Sequence, residues 1–188
     1  MPKSKSAYSV AGKKGKLDTH IIVVWVDNEA GVLARVVGLF SGRGYNIESL
    51  AVAEIDSKLN ISRVTIVTTG SPEVIDQIKL QLKKLVPVHK VASFKREDKK
   101  VIFKEMALFK FVSNSKKMKL AVKACKKFNP VLLDETNKSC VVQVTALRRE
   151  IDKMSKKLKP FGLTSTSRTG AIAMTRGCLL YTSPSPRD

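Results

Sequence analysis

Apolar residues along this chain follow two different periods, and these alternate from about residue 20 onward. HIIVVWV is a β-branched run of strand length, and the turn-forming sequence DNEAG follows it. VLARVVGLFSGRG then repeats apolar residues at helical spacing and ends on glycine, which is typical of a terminating helix. The strands YNIESLAVAEI and ISRVTIVTTG, the helix SPEVIDQIKLQLKKL and the strand VHKVASF complete the set. The predicted order is βαββαβ.

The second half of the chain repeats this order. FKEMALFKFVS reads as a strand, KKMKLAVKACKKF as a helix, and PVLLDET and KSCVVQVTA as two strands joined by a polar turn. LRREIDKMSKKLKPF is a second helix, and LTSTSRTGAIAM is predicted to return as one strand. The fold class is therefore α+β, with two tandem ferredoxin-like βαββαβ domains at residues 20–95 and 103–177 and a charged linker at 96–102.

Both ends of the chain lack this patterning. Residues 1–19 mix Lys, Ser, Gly and Ala with little apolar periodicity, so we predict a disordered basic extension, with a transit peptide as the alternative. Residues 178–188, CLLYTSPSPRD, have no place in either repeat and read as a non-native tail. Neither segment enters the fold prediction.

The formal charge of +19 raises nucleic acid or another anionic surface as a partner. The charge is uneven, because residues 20–95 hold nine basic and seven acidic residues, whereas residues 96–177 hold twenty and seven. An RNA-binding βαββαβ module needs aromatic residues on its central strands, and ISRVTIVTTG and KSCVVQVTA contain none. The sequence therefore disfavours a basic nucleic-acid-binding module. We interpret the lysines of the second half as a solvated helix face, with a binding surface as the alternative.

Motifs for catalysis, metal binding and membrane insertion are missing from the sequence. The three cysteines are an odd count without close spacing, and neither histidine has a companion at metal-ligand spacing. There is no nucleophile elbow, no phosphate-binding loop and no dinucleotide fingerprint. No apolar run approaches the roughly 20 residues that span a bilayer. We expect a protein that is not an enzyme, holds no metal and does not cross a membrane.

One junction has the chemistry of a ligand site. DNEAG leads directly into a helix, whose first N–H groups and dipole favour an anion such as a carboxylate. Asn28 offers both a donor and an acceptor, so it suits either a carboxylate or an ammonium group. Gly31 permits a close approach of a ligand to the backbone. Asn and Gly also dominate ordinary turns, so a purely structural role for both residues stays open.

A long motif at this junction resembles a known family. NEAGVLARVVGLFSGRGYNIESL runs unbroken from Asn28 to Leu50 and is similar to the ACT domain of the acetohydroxyacid synthase (acetolactate synthase) regulatory small subunits. In the second half, EMAL at Glu105 and RTGAIAMTRG from Arg168 resemble that family's C-terminal domain. The resemblance covers roughly residues 20–177.

The resemblance implies a homodimer whose ACT sheets join edge to edge, with valine held between the protomers. Carried over in this way, Asn28 and Gly31 bind from one protomer, and Asn46 and Ile47 bind from its partner. The predicted valine-binding set is completed by two residues at the start of the helix, Val32 and Leu33.

The family also implies partners and a biological role. The expected partner is a large catalytic subunit that carries thiamine diphosphate, FAD and Mg²⁺, while this chain itself binds no cofactor. The small subunit would confer feedback inhibition by valine and raise catalytic activity in valine and isoleucine biosynthesis. The expected location is the cytoplasm, or a plastid or mitochondrion in a eukaryote. The alternative is an ACT-type amino-acid sensor for another enzyme.

Overall fold

The computed structural model describes residues 17–177, and these form two compact units. Within the described residues, one unit comprises residues 17–102 together with residues 173–177, and the other comprises Phe103–Ile172. No helix among the described residues is long and apolar enough to cross a membrane.

The first unit has the predicted βαββαβ order around a four-stranded antiparallel sheet with strand order β2-β3-β1-β4. This arrangement is the ferredoxin-like topology that the sequence predicts. The elements are β1 (Asp18–Asp27), α1 (Val32–Ser41), β2 (Ser49–Asp56), β3 (Ile61–Gly70), α2 (Pro72–Lys83) and β4 (Val88–Lys95).

Strand β1 lies at the centre of this sheet because it is apolar on both faces. Ile22, Val24 and Val26 pack into the core that α1 and α2 cover. The alternate side chains Ile21, Val23 and Trp25 are buried as well. A continuous apolar run therefore marks the central strand, since an edge strand or a strand with one wet face would alternate with polar residues.

The ends of both helices follow from local sequence. The N–H of Tyr45 donates to the Phe40 carbonyl at 2.9 Å and that of Gly44 to the Ser41 carbonyl at 3.1 Å, with Gly44 at φ 68°. This is a Schellman motif, and the Tyr45 ring packs edge-on against Phe40, as the apolar contact of such a motif does. At the other helix, the Ser71 hydroxyl accepts from the Val74 N–H, so Ser71 is the N-cap of α2.

The second unit repeats the topology around β5 (Val101–Val112). Its sheet has the order β6-β7-β5-β8, and β9 also pairs with β5. The core is built from strand residues such as Phe109 and Val142 and from helix residues such as Ile151. The remaining elements of this unit are α3 (Ser115–Cys125), β6 (Val131–Glu135), β7 (Ser139–Ala146), α4 (Arg148–Leu158) and β8 (Leu163–Arg168). Strand β9 (Ile172–Thr175) begins at the last residue of this unit, and its other residues belong to the first unit.

The prediction of one continuous strand over LTSTSRTGAIAM is wrong, because β8 and β9 are separate strands. Gly170 between them has φ 81°, a left-handed conformation that an extended strand does not contain. The neighbouring Thr169 uses its side-chain oxygen to accept from the backbone N–H of Met106 at 3.2 Å. A glycine inside an otherwise strand-like pattern therefore marks a break here.

Two predicted boundaries also move. Asp18 and Thr19, at the end of the predicted disordered extension, belong to β1 and pair with Gly70 and Thr69. Strand β5 begins at Val101, inside the segment that the sequence assigns to the linker. The rest of the predicted extension, residues 1–16, and the predicted tail, residues 178–188, lie outside the described residues.

Candidate ligand-binding site

The loop between β1 and α1 carries the first half of the predicted site. Gly31 is the N-cap of α1 and has φ 83°, in the left-handed region. A Cβ built there meets nothing within 4 Å, so the backbone conformation and not crowding requires glycine. No side chain caps this helix end. The first N–H groups of α1 therefore have no side-chain acceptor, which is the arrangement that binds an anion at a helix N-terminus.

Asn28 is fixed to the β2–β3 connection and to the start of β3 by three hydrogen bonds. Its backbone N–H donates to the Asn60 carbonyl at 2.7 Å, and the Asn60 side-chain amide donates back to the Asn28 carbonyl at 3.3 Å. The Ser62 hydroxyl donates to Asn28 Oδ1 at 3.0 Å. Because the oxygen is used in this way, the side chain offers its Nδ2 hydrogens as donors. A carboxylate can accept from these hydrogens, while the oxygen keeps one lone pair with which it can accept from an ammonium group.

Val32 and Leu33 follow directly in α1, but they face different surroundings. The Val32 side chain is 3% exposed and belongs to the core, so only its backbone can meet a ligand. Leu33 is 40% exposed and presents an apolar side chain at the helix surface. Of these two predicted residues, Leu33 is the one whose side chain can contact an apolar ligand group.

Asn46 and Ile47 lie on the connection that leaves the Schellman motif and enters β2. The Thr68 hydroxyl donates to the Asn46 carbonyl at 2.7 Å, which fixes the Asn46 backbone against β3. The Asn46 residue is exposed, whereas Ile47 is half-buried against the core. This connection therefore presents a polar side chain next to a partly exposed apolar one.

Within one chain the two halves of the predicted site lie apart. Asn28 is hydrogen-bonded to Ser62 near the start of β3, and Asn46 is hydrogen-bonded to Thr68 near the end of the same strand. Ser62 and Thr68 lie six positions apart on the extended strand, and at about 3.3 Å per position they are about 20 Å apart. A free amino acid is much smaller than this distance. One protomer alone therefore does not bring the two halves together.

The second unit contains a buried ion pair that the sequence analysis missed. Glu105 on β5 is 2% exposed, and Arg168 at the end of β8 donates to its two carboxylate oxygens at 2.6 and 2.9 Å. Arg168 also donates to Asp152 of α4 at 2.7 Å. The hydrogen bonds with Glu105 raise the pKa of Arg168 above its ordinary value. This network joins two strands and a helix of the same unit.

The buried thiols do not form a reactive centre. Cys125 and Cys140 are 0% and 1% exposed in the core of the second unit. Burial raises the pKa of the Cys125 thiol to about 11, and it raises that of Cys140 as well. A thiol with a raised pKa holds little thiolate at neutral pH, and the thiolate is the nucleophile. In the part of the chain that the structure describes, no group of three or more His, Cys, Asp or Glu residues is placed to hold a metal ion.

Comparisons with known proteins match both units. The family model for the AHAS small subunit-like ACT domain matches residues 22–90, and the model for the small subunit of acetolactate synthase matches residues 104–177. The acetolactate synthase small subunit of Aquifex aeolicus is 38% identical over 165 residues, which cover 87% of this chain and 84% of that protein. The chain belongs to the acetolactate synthase small-subunit family. The suspected resemblance is confirmed.

Further relatives agree with the family. The acetolactate synthase small subunit of Mycobacterium bovis is 35% identical over 159 residues, which cover 85% of this chain and 93% of that protein. The crystal structure of the acetolactate synthase small subunit from Thermotoga maritima matches with a TM-score of 0.77 at 28% identity. The match covers 86% of this chain and 99% of that structure. Both members of the family are thus similar to this chain over nearly all of their length.

Proposed function

We propose that this small subunit binds valine between two copies of its ACT unit and thereby confers feedback inhibition on an acetolactate synthase. The observation that carries the proposal is the separation of Asn28 from Asn46 along β3 in one chain. A site built from both residues needs a second chain. The family membership supports the regulatory role, and the donor-rich loop at Gly31 supports an amino acid as the ligand.

Strand β2 is the edge at which two such chains would meet. It lies at one end of the sheet and runs antiparallel to β3, with Ser49 opposite Val67 and Asp56 opposite Ile61. A two-fold axis through paired β2 strands places the start of one strand beside the end of the other. The connection that holds Asn46 then approaches the corner at which the partner subunit holds its own Asn28.

The composition of the two edge strands favours this seam. The middle of β2 is the uncharged sequence LAVA, and Val52 within it is 45% exposed. The opposite edge strand, β4, carries Lys90 within the strand and Lys95 at its end. Lysines on an edge strand oppose pairing with another strand, whereas an exposed uncharged edge permits it.

The chemistry of the two halves suits a small apolar amino acid. The first N–H groups of α1 and the Nδ2 hydrogens of Asn28 would bind the carboxylate. The side-chain oxygen of Asn46 of the partner subunit would accept from the ammonium group. Leu33 and the partner's Ile47 would form the wall against the apolar side chain. Because the site lies between two chains, valine would bind one arrangement of them better than another and shift the equilibrium toward it.

The partner in this proposal is the large catalytic subunit, which would carry thiamine diphosphate, FAD and Mg²⁺. The small subunit would raise the activity of that subunit when valine is absent and lower it when valine is bound. The complex would act in valine and isoleucine biosynthesis, and we place it in the cytoplasm.

Subunit complementation tests whether one valine site uses two chains. Calorimetry with valine measures binding to the full chain, to Asn28→Ala and to Asn46→Ala, with Asn137→Ala in the exposed β6–β7 turn as the matched control. Each site variant should lose binding, and the control should retain it. Mixed and re-equilibrated site variants should regain about a quarter of the sites, because half of the dimers are mixed and each mixed dimer has one intact site of two.

Two results would contradict the proposal. Full valine affinity in Asn46→Ala would remove the second chain from the site. A second contradicting result would be that both variants dimerise and lose valine binding, but that mixing them restores none of it. The two residues would then belong to the same site of one chain, or their substitution would act by disturbing the structure. Binding of valine without any effect on acetolactate formation by the large subunit would favour a sensor for another enzyme.

A further inference from the structure

Eleven exposed basic residues cover the helices of the second unit and the residues that follow them. All eleven side chains are exposed to solvent, and the residues lie in α3, in α4 and in the short 3-10 turns at the ends of these helices. We name this surface the basic helical face, and its members are Lys116, Lys117, Lys119, Lys123, Lys126, Lys127, Arg149, Lys153, Lys156, Lys157 and Lys159.

Acidic side chains of the same helices offset only a small part of this charge. Helix α3 contains no acidic residue. Helix α4 contains two, Glu150 and Asp152, and Asp152 is paired with Arg168 at 2.7 Å. Most of the positive charge of the basic helical face is therefore left for solvent, for salt or for a partner.

Several of these cations lie at positions that are unfavourable for the isolated helices, whereas Lys123, Lys156 and Lys157 lie in last turns, where the dipole favours positive charge. Lys116 and Lys117 lie in the first turn of α3, where the helix dipole disfavours positive charge. Lysine or arginine residues four positions apart repel each other along both helices. Such pairs are Lys119 with Lys123, Lys123 with Lys127, Arg149 with Lys153, and Lys153 with Lys157. Packing of the core does not require any of these charges.

The first unit provides an internal comparison at the same topological position. The equivalent helix α4 contains five basic and two acidic residues, whereas helix α2 contains two of each. Helix α2 also carries a pair of opposite charges, with Lys79 Nζ 2.7 Å from Asp76 Oδ1. A general lysine bias of the chain would affect both units, so it does not account for a face that is basic in one unit only.

We propose that the basic helical face docks on an acidic surface of the large catalytic subunit. This inference rests on the proposed function, which supplies the partner. The aromatic residues of the two 3-10 turns, Phe128 and Phe161, are partly buried against the core of the second unit. They are therefore poorly placed to stack on a nucleic-acid base, and stacking is a main source of affinity for single strands. Complementary charge would steer the two subunits together and fix their orientation.

The test measures binding of the full chain to the large subunit of the same organism at NaCl concentrations from low to high. The face variant replaces Lys119, Lys123, Lys153 and Lys157 with glutamine. The matched control makes the same four-charge change elsewhere, with glutamine at the exposed positions Lys83, Lys84, Lys99 and Lys100. Thermal unfolding should show that neither variant is less stable than the unaltered chain.

We expect the face variant to bind the large subunit roughly 10- to 100-fold more weakly at low salt, since each charge pair contributes modestly. The control should stay within about twofold. The dependence of affinity on salt should flatten in the face variant only. Maximal activation of acetolactate formation at saturating small subunit should be unchanged, because the substitutions affect docking and leave the ACT unit intact.

Each other outcome decides against the proposal in a different way. Equal affinity and equal salt dependence of both variants would overturn the docking face while leaving the proposed function intact. Absence of binding by the unaltered chain at any salt would overturn the proposed function and the docking face together. The nucleic-acid alternative is tested with an RNA duplex of about 20 base pairs. If only the face variant loses binding to this duplex, and its binding to the large subunit is unchanged, the face binds nucleic acid.

Discussion

Replacement of Arg168 by methionine should destabilise the second unit through the buried carboxylate of Glu105. The loss of two hydrogen bonds leaves a side chain that is 2% exposed without its cation. Breaking a buried pair in this way costs about 3–5 kcal/mol. The Arg168 side chain is 29% exposed, so water replaces part of its interaction and we expect about 2–4 kcal/mol. Asp152 is 46% exposed and contributes less than about 1 kcal/mol.

Thiol labelling reads this loss directly in the second unit. Cys125 and Cys140 are buried in its core, so a thiol reagent reaches them only when that core opens. In a Cys178→Ser background, the two buried thiols of Arg168→Met should be labelled roughly 30- to 1000-fold faster than those of the chain with Arg168 intact. This ratio is the expected loss of about 2–4 kcal/mol expressed as a change in the opening equilibrium, and it applies under conditions in which labelling follows that equilibrium. Trp25 lies in the first unit, and its fluorescence serves as the separate probe of that unit.

The double variant Glu105→Met with Arg168→Met is the decisive control. Replacing both partners of a buried ion pair by apolar residues is often neutral, so most of the stability should return. An Arg168→Met variant that loses less than about 1 kcal/mol would refute the reasoning, since the buried charge would then have cost nothing. A double variant as unstable as the single one would also refute it, because the defect would lie in packing and not in the unpaired carboxylate.

Three further predictions concern the first unit. Gly31→Ala should lower its stability by about 1–2 kcal/mol in urea unfolding, because a φ of 83° strains any residue with a Cβ although the space is open; a neutral result would contradict the backbone argument. Ser62→Ala should weaken valine binding about 2- to 10-fold by calorimetry, the value of one hydrogen bond, because Asn28 loses the donor to its Oδ1; unchanged affinity would show that this bond does not position Asn28. Burial and, to a smaller extent, the charge of Lys95 lower the pKa of His20 in the folded chain. As the pH drops below about 6.5, the unfolded chain therefore takes up a proton before the folded chain does, and the stability of the fold should fall. His20→Leu should flatten the pH dependence of the urea midpoint between about pH 5 and 7, and an unchanged slope would rule out His20 as the source of this dependence.

Local sequence predicts those features whose cause is local. The apolar run from Ile21 to Val26 marks a central strand because burial on both faces needs no alternation. The glycine at position 44, followed by Tyr45, ends α1 through contacts made within six residues. The helix start at Ser71 is likewise visible in the sequence, because the cap bonds a residue three positions away.

Features that join distant segments were not visible in the same way. The Ser62 hydroxyl that fixes Asn28 lies 34 residues along the chain, and Arg168 lies 63 residues from Glu105. Periodicity gives no register between strands, so it could not show that these side chains meet. The motifs around Glu105 and Arg168 were noticed only as similar to the family, and their shared role became clear once β5 and β8 were paired.

With the proposed two-chain valine site, the separation of the two half-sites along β3 would make protein abundance a variable of regulation. If a complete site forms only when two chains meet, ligand and dimer stabilise each other, and each tightens the binding of the other by the same factor. A cell that produces little of this subunit would then respond to valine only at higher concentrations of the amino acid. The response would sharpen as the subunit accumulates, so the sensitivity of the enzyme would follow from gene dosage as well as from the affinity of the site.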